Sequence, residues 1–185
     1  MSHCKFSISV MSDDRVGIIS AVTGGVFQAG GNIDRISQTV VEGCFIIMVI
    51  AEFAGGATAA GIRDAIQGCG KRFDLEVNVR PYVEPAPEKK QRNVYFLSAT
   101  GADRPGIFHE LTSVLAGRGI NILDLYCFVR EGSEFVLIGE IDLPEEVDLE
   151  RLQIDLEAGH ANDKLRLRVQ HENLFRATNE LYISR

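Results

Sequence analysis

One stretch of this chain occurs twice. Asp14-Arg15-Val16-Gly17-Ile18 returns as Asp103-Arg104-Pro105-Gly106-Ile107, 89 residues later. Gly30-x-Asn32-Ile33 returns at the same offset as Gly119-x-Asn121-Ile122, and Glu42-Gly43 as Glu131-Gly132. Short matches arise by chance, but several in one register mark a duplicated folded unit. The period is too long for one turn of a solenoid, so each copy is expected to be a small domain with its own core. The shared residues are a helix start and a strand start rather than a set of reactive side chains. That points toward binding, not catalysis.

Periodicity gives each copy the same order of elements. Phe6, Ile8 and Val10 alternate with Ser7, Ser9 and Met11, the two-residue period of a strand with one buried face. Asp13 and Asp14 follow as carboxylates suited to capping a helix. Ile18, Ile19, Val22, Val26 and Phe27 recur at helical spacing until Gly30-Gly31 stops them. Asn32–Val41 reads as a strand, Glu42-Gly43 as a turn and Phe45–Phe53 as the returning strand. A second helix is predicted over Ala57–Gln67, and a last strand from Phe73, Leu75, Val77 and Val79. Copy two repeats these elements at Val94–Ala99, Gly106–Ala116, Asn121–Arg130, Phe135–Leu143, Asp148–Glu157 and Lys164–Gln170.

The predicted class is therefore α+β: two ferredoxin-like βαββαβ domains, each an antiparallel four-stranded sheet with two helices on one face. The boundaries fall at 1–80 for the first domain and 93–171 for the second. Residues 81–92 form a proline-rich, charged linker, and 172–185 a helical tail. Phe45-Ile46-Ile47-Met48-Val49-Ile50 and Phe135-Val136-Leu137-Ile138 are apolar on both sides, as in strands covered on both faces. The helix-free sheet face, expected to carry Ile47 and Val49, thus needs a cover from the sister copy or a second subunit. An edge strand also wants a partner, so a homodimer is expected.

The net charge of −7 divides as −1 over residues 1–90 and −6 over 91–185. Such a chain repels phosphate backbones, which argues against direct binding of nucleic acid. Cys4, Cys44, Cys69 and Cys127 have no CxxC spacing and read as reduced, buried thiols, with Cys69 between glycines the more exposed. The apolar run Phe45–Ala51 is too short to span a bilayer. No leader is expected ahead of the first strand, because Met1-Ser2-His3-Cys4-Lys5 runs straight into it, and a cytoplasmic location is expected, with no membrane partner.

Chemistry has one natural place in each copy. Asp13–Gly17 and Ala102–Gly106 lead into the first helix, where unpaired N–H groups and the helix dipole attract anions. Gly17 and Gly106 permit close approach of a ligand or a partner backbone. A free amino acid offers a carboxylate to those N–H groups and an ammonium to an oxygen, with Asn32 and Asn121 as further polar contacts. Equally, Asp14 and Asp103 can simply cap, and Pro105 can simply start a helix.

Asp-Arg-Pro-Gly-Ile, followed by a helix ending in Gly-x-Asn-Ile, resembles the ACT domain, a small-molecule regulatory module. The resemblance covers nearly the whole chain as two tandem copies, and copy one departs from it where Val16 replaces the proline. The architecture is similar to the glycine cleavage system transcriptional repressor group, two ACT domains without an attached enzyme or DNA-binding domain. Val169-Gln170-His171-Glu172-Asn173-Leu174-Phe175 resembles the tail of small bacterial stand-alone ACT proteins. The resemblance implies an amino-acid ligand at interfaces between paired domains. The implied residues are Asp14, Arg15, Gly17, Ile18, Asn32 and Ile33 in copy one, and Asp103, Arg104, Pro105, Gly106, Ile107, Asn121 and Ile122 in copy two. It also implies a regulated protein partner, or alternatively a ligand-free interaction module or regulatory subunit built on paired sheets.

Enzyme readings find little support. Acylphosphatases share the element order and Arg104 with Asn121 mimics their pair, but their phosphate loop is missing. Gly55-Gly56 and Gly61 lack dinucleotide-loop spacing, and His109-Glu110 lacks the spacing of a zinc motif. No catalytic residue, metal or cofactor is expected.

Overall fold

The computed structural model describes residues 3–84, 92–158 and 165–174. In β1 (His3–Asp13) Phe6, Ile8 and Val10 are buried and Met11 is exposed, as the alternation requires. β1 pairs antiparallel with β3 (Cys44–Ala54) and β4 (Glu76–Pro81), and β2 (Gly31–Val41) flanks β3, giving the order β2-β3-β1-β4. Two helices, α1 (Ile18–Gln28) and α2 (Ala59–Cys69), send Ile18, Val22, Val26, Ile62 and Ile66 into one core with Ile8, Val10, Ile47 and Val49. Helix α2 begins where the Gly61 N–H donates to Thr58 Oγ1 at 3.1 Å, a side-chain cap.

Copy two builds the same unit from β5 (Val94–Ala102), α3 (Ile107–Ala116), β6 (Asn121–Arg130), β7 (Glu134–Asp142), α4 (Leu149–Ala158) and β8 (Arg166–His171). Its sheet order is β6-β7-β5-β8. Leu97, Leu111, Leu115, Leu137, Leu152 and Leu156 form its core. The α+β class, the duplication and the helices on one face of each sheet are as the sequence predicts. The chain divides into two compact units, Met1–Glu88 and Lys89–Arg185. Most of the expected linker (85–91) and most of the expected tail (175–185) lie outside the described residues.

Four expectations need correction. Ile47 and Val49 do not carry the helix-free face: they lie opposite Val10 and Ile8 in the register, fully buried under the helices. By alternation that face bears Ile46, Met48 and Ile50, and Met48 remains 42% exposed. The last strand of copy one starts at Glu76 rather than Phe73, because Asp74 has φ +52° and breaks the extended run. Phe73 and Leu75 are nevertheless buried. Helix α1 has no carboxylate cap, since its N-cap is Gly17 itself at φ 102°. The cysteines are free but none is buried: Cys44 stands beside the β2–β3 turn and Cys127 on the edge strand β6, both exposed, while Cys4 and Cys69 are half-buried.

The copies differ in two local ways. A Cβ on Gly25 would collide with the backbone of Ile66, so α1 and α2 touch backbone to backbone there. Val114 occupies the corresponding position in α3. The second difference is a turn. β2 and β3 are joined by two residues, Glu42 (φ 49°) and Gly43 (φ 79°), as in a type I′ hairpin. β6 and β7 are joined by three, because Ser133 (φ 60°) is added after Gly132 (φ 90°).

Candidate functional site

The two first loops fold alike. The Asp14 N–H donates to Gly43 O at 2.8 Å, and the Asp103 N–H donates to Ser133 O at 2.8 Å, so each loop is tied to the hairpin turn beside it. The N–H groups of Ile18 and Ile107 reach back to Arg15 O and Arg104 O, each at 3.4 Å. Gly17 and Gly106 (φ 90°) both cap their helices in the left-handed conformation, which costs other L-residues about 1–2 kcal/mol. Part of the repeated motif is thus a backbone requirement.

Their surroundings differ. Arg104 grips Glu110 through both guanidinium nitrogens, Nη1 to Oε1 at 2.9 Å and Nη2 to Oε2 at 2.6 Å. Ala21 stands in the place of Glu110 in copy one, and Arg15 pairs instead with Asp13 at 3.3 Å on the exposed surface. Arg72 lies over the Phe73 ring at 4.5 Å and fronts Gly17, whereas Gly106 is exposed, with Glu110 Oε1 at 3.5 Å and Arg104 Nη1 at 4.0 Å from the space a Cβ would fill. Cys127 sits within the field of copy two's loop: partial burial first, and the Asp103 carboxylate second, push its thiol pKa up.

Asn32 and Asn121 are elsewhere. Asn32 pairs with Glu52 near the far end of β3, while Asp13, just before the loop, pairs with Cys44 at its near end. Eight residues of strand separate these rows, roughly 26 Å at about 3.3 Å per residue. Asn121, paired with Asp142, is equally remote from Ala102, paired with Glu134. The expected site residues therefore form two clusters at opposite ends of each sheet. At the Asn32 end Lys5 and Asp34 form an ion pair at 2.8 Å, and the hydrogen bond to Asp34 raises the lysine pKa. Asn121 lines a small cavity of about 180 Å³ with Asn93, Asp142 and Glu145. Ile33 and Ile122 are half-buried and flank a bulge that recurs in both copies. Ile18 and Ile107, 1% and 2% exposed, are core residues whose side chains face inward.

A cleft that periodicity and motifs did not reveal also recurs. In copy one it measures about 250 Å³ and is lined by Met11, Asp13, Cys44, Phe73, Asp74 and Glu76. In copy two it measures about 420 Å³, with Thr100, Gly101, Gly132, Ser133, Glu134 and Arg166. The positions correspond, because Met11 pairs with Glu76 and Thr100 with Arg166. The signal was available in sequence only as a charge reversal at one position of the last strand. Among the described residues no group of His, Cys, Asp or Glu could hold a metal ion, and no helix is long and apolar enough to cross a membrane.

Two ferredoxin-like domains in tandem, each with a glycine-led helix start tied to its hairpin turn, define the class. The chain belongs to the ACT domain family, whose model matches residues 6–80 and 95–170, and is an ACT-domain regulatory protein. The UPF0237 protein of Methanosarcina mazei is 33% identical over 81 residues, 43% of this chain and 88% of that protein. A Streptococcus pneumoniae UPF0237 protein is 29% identical over 76 residues, 41% of this chain and 86% of its own length. Such relatives are thus about as long as one copy. Two crystal structures match the tandem. A Galdieria sulphuraria protein has a TM-score of 0.74 at 19% identity, covering 92% of this chain and 99% of its own. A protein assigned as a glycine cleavage system transcriptional repressor has 0.65 at 17%, covering 93% and 100%. At these identities the likeness is one of fold.

Proposed function

We propose that this chain is a non-catalytic sensor that binds an amino acid between paired ACT domains and passes that state to a protein partner. The observation that carries this reading is the open approach to Gly106. Helix α3 starts there with a positive backbone end and no side-chain cap, which suits a carboxylate. Asn121 lies at the opposite end of the same sheet, so one domain alone does not unite the two. An antiparallel partner laid along the edge strand places its own Asn121 at the level of this loop, and the pair completes the site. Signalling then requires only that ligand favour one packing over another. Four free cysteines fit a reducing cytoplasmic setting for such a sensor.

A panel of amino acids screened by thermal shift, followed by calorimetry, tests the reading. A ligand at a hundred times its Kd stabilises by about 2.7 kcal/mol. Gly106→Leu should abolish binding, and Asn121→Ala should weaken it roughly five- to a hundredfold through a lost buried hydrogen bond. Gly106→Leu binding as tightly as the parent overturns the site.

A second reading rests on the edge strands. Ile36, Val40 and Val41 on β2 and Tyr126, Phe128 and Val129 on β6 are exposed apolar side chains, a surface that natural edges usually avoid. They suit a docking module whose pairing matters without any ligand. No stabilisation by any amino acid at millimolar concentration would favour this reading. Both readings expect a homodimer at micromolar concentration by light scattering, and a strict monomer would count against subunit pairing in each.

A further inference from the structure

We propose that the copy-two cleft, between β5, the start of β8 and the β6–β7 turn, binds a small carboxylate. It differs from the interface site above, because residues of one domain alone line it and neither Gly106 nor Asn121 takes part.

The charge balance points to the ligand class. Arg166 and Arg168 on β8 have no ion-pair partner among the described residues, while Arg104, Arg118, Arg130 and Arg151 in the same copy are paired; of the two, Arg166 lines the cleft. The carboxylate lining the cleft, Glu134, faces Arg130 at 3.7 Å. Arg166 thus brings an uncommitted planar fork to the cleft, a geometry matched to a carboxylate. The hydroxyls of Thr100 and Ser133 line the same space and can donate to a second oxygen. One guanidinium beside one carboxylate suits a monoanion or a zwitterion better than a multiply charged phosphate. The cleft is open to solvent, and its volume of about 420 Å³ leaves room for a small ligand.

Copy one supplies an internal control. The matching cleft persists there, but Glu76 replaces Arg166, and Asp13 and Asp74 join it with no basic residue in the lining. It repels a carboxylate. The duplication has kept the cavity, reversed the charge at its last-strand position and left copy two with one guanidinium beside one carboxylate.

The test is a titration of the full-length protein with sodium acetate, followed through backbone amide resonances, with sodium phosphate and methylammonium chloride at matched ionic strength as comparisons. Acetate should shift the amides of Gly101, Ser133 and Arg166 saturably and leave those of Met11, Cys44 and Glu76 in place. Arg166→Gln should weaken the response about tenfold or more, the loss of a charged hydrogen bond, and Arg166→Lys less. Because Arg166 is exposed, both variants should retain the dispersed spectrum of the parent. A non-saturating response, or one unchanged in Arg166→Gln, overturns the site. Equal or stronger binding of phosphate overturns the carboxylate assignment.

Discussion

The guanidinium of Arg72 stands before Gly17, where an added Cβ would come within 2.8 Å of Arg72 Nη2 and 3.3 Å of Phe73 Cζ. The equivalent space at Gly106 holds nothing nearer than Glu110 Oε1 at 3.5 Å. Copy one has closed with its own side chains the approach that copy two leaves open. Alanine at either glycine should cost about 1–2 kcal/mol from the left-handed backbone alone. Gly17→Ala should cost roughly 0.5–1 kcal/mol more, because it disturbs the stack of Arg72 on Phe73. Urea unfolding of the two variants measures this, and a milder effect at Gly17 would contradict the packing described.

Gly25→Ala should destabilise copy one by about 1–3 kcal/mol, since the methyl group has to push α1 away from the Ile66 backbone. The transition of copy two should not move, because the change is confined to the other unit. Two-step calorimetric melting distinguishes the transitions, and a loss shared equally by both units would refute the assignment.

Most of the fold was legible because binary patterning and turn chemistry agreed. Ile8, Val10, Val22 and Ile62 sit where a period of two or of 3.6 places them, and Gly30 ends α1 as expected. The errors arose where pattern has no voice. Phe45–Ile50 is apolar at every position, so alternation could not say which residues faced the helices, and Ile47 and Val49 went to the wrong side. Asp74 broke a strand through its backbone angle, which its alternating neighbours concealed. The first loop was readable as a motif, but its distance from Asn32 and Asn121 was not. Both segments are near one another in sequence, and only the strand register shows them at opposite ends. The cleft draws on three segments distant in sequence, with no local signature.

Cys127 should report on the loop of copy two. Its raised pKa keeps the thiol largely protonated at neutral pH, so alkylation should be slow there and accelerate as pH rises through that elevated value. Asp103→Asn removes a negative charge that opposes the thiolate, lowers the pKa and should speed the reaction. Mass-spectrometric rates at several pH values provide the check, and an unchanged pH profile in Asp103→Asn would show that the carboxylate does not act on the thiol.

Trypsin should cut first at Lys89, Lys90 or Arg92, since the proposed linker joins two separately folded units. Mass mapping of the earliest fragments tests the boundary, and initial cleavage within Phe45–Phe53 would mean that copy one is not an independent domain.

The extra residue at Ser133 has a consequence for how the halves could diverge. Every strand partner before and after the turn keeps its place: Ala102 faces Glu134 as Asp13 faces Cys44. The lengthening is absorbed in a loop that also forms a wall of the cleft. A gene that had just doubled could therefore remodel one cavity rim while every ladder stayed in step. The two halves can thus differ in the chemistry of this rim while sharing one strand register.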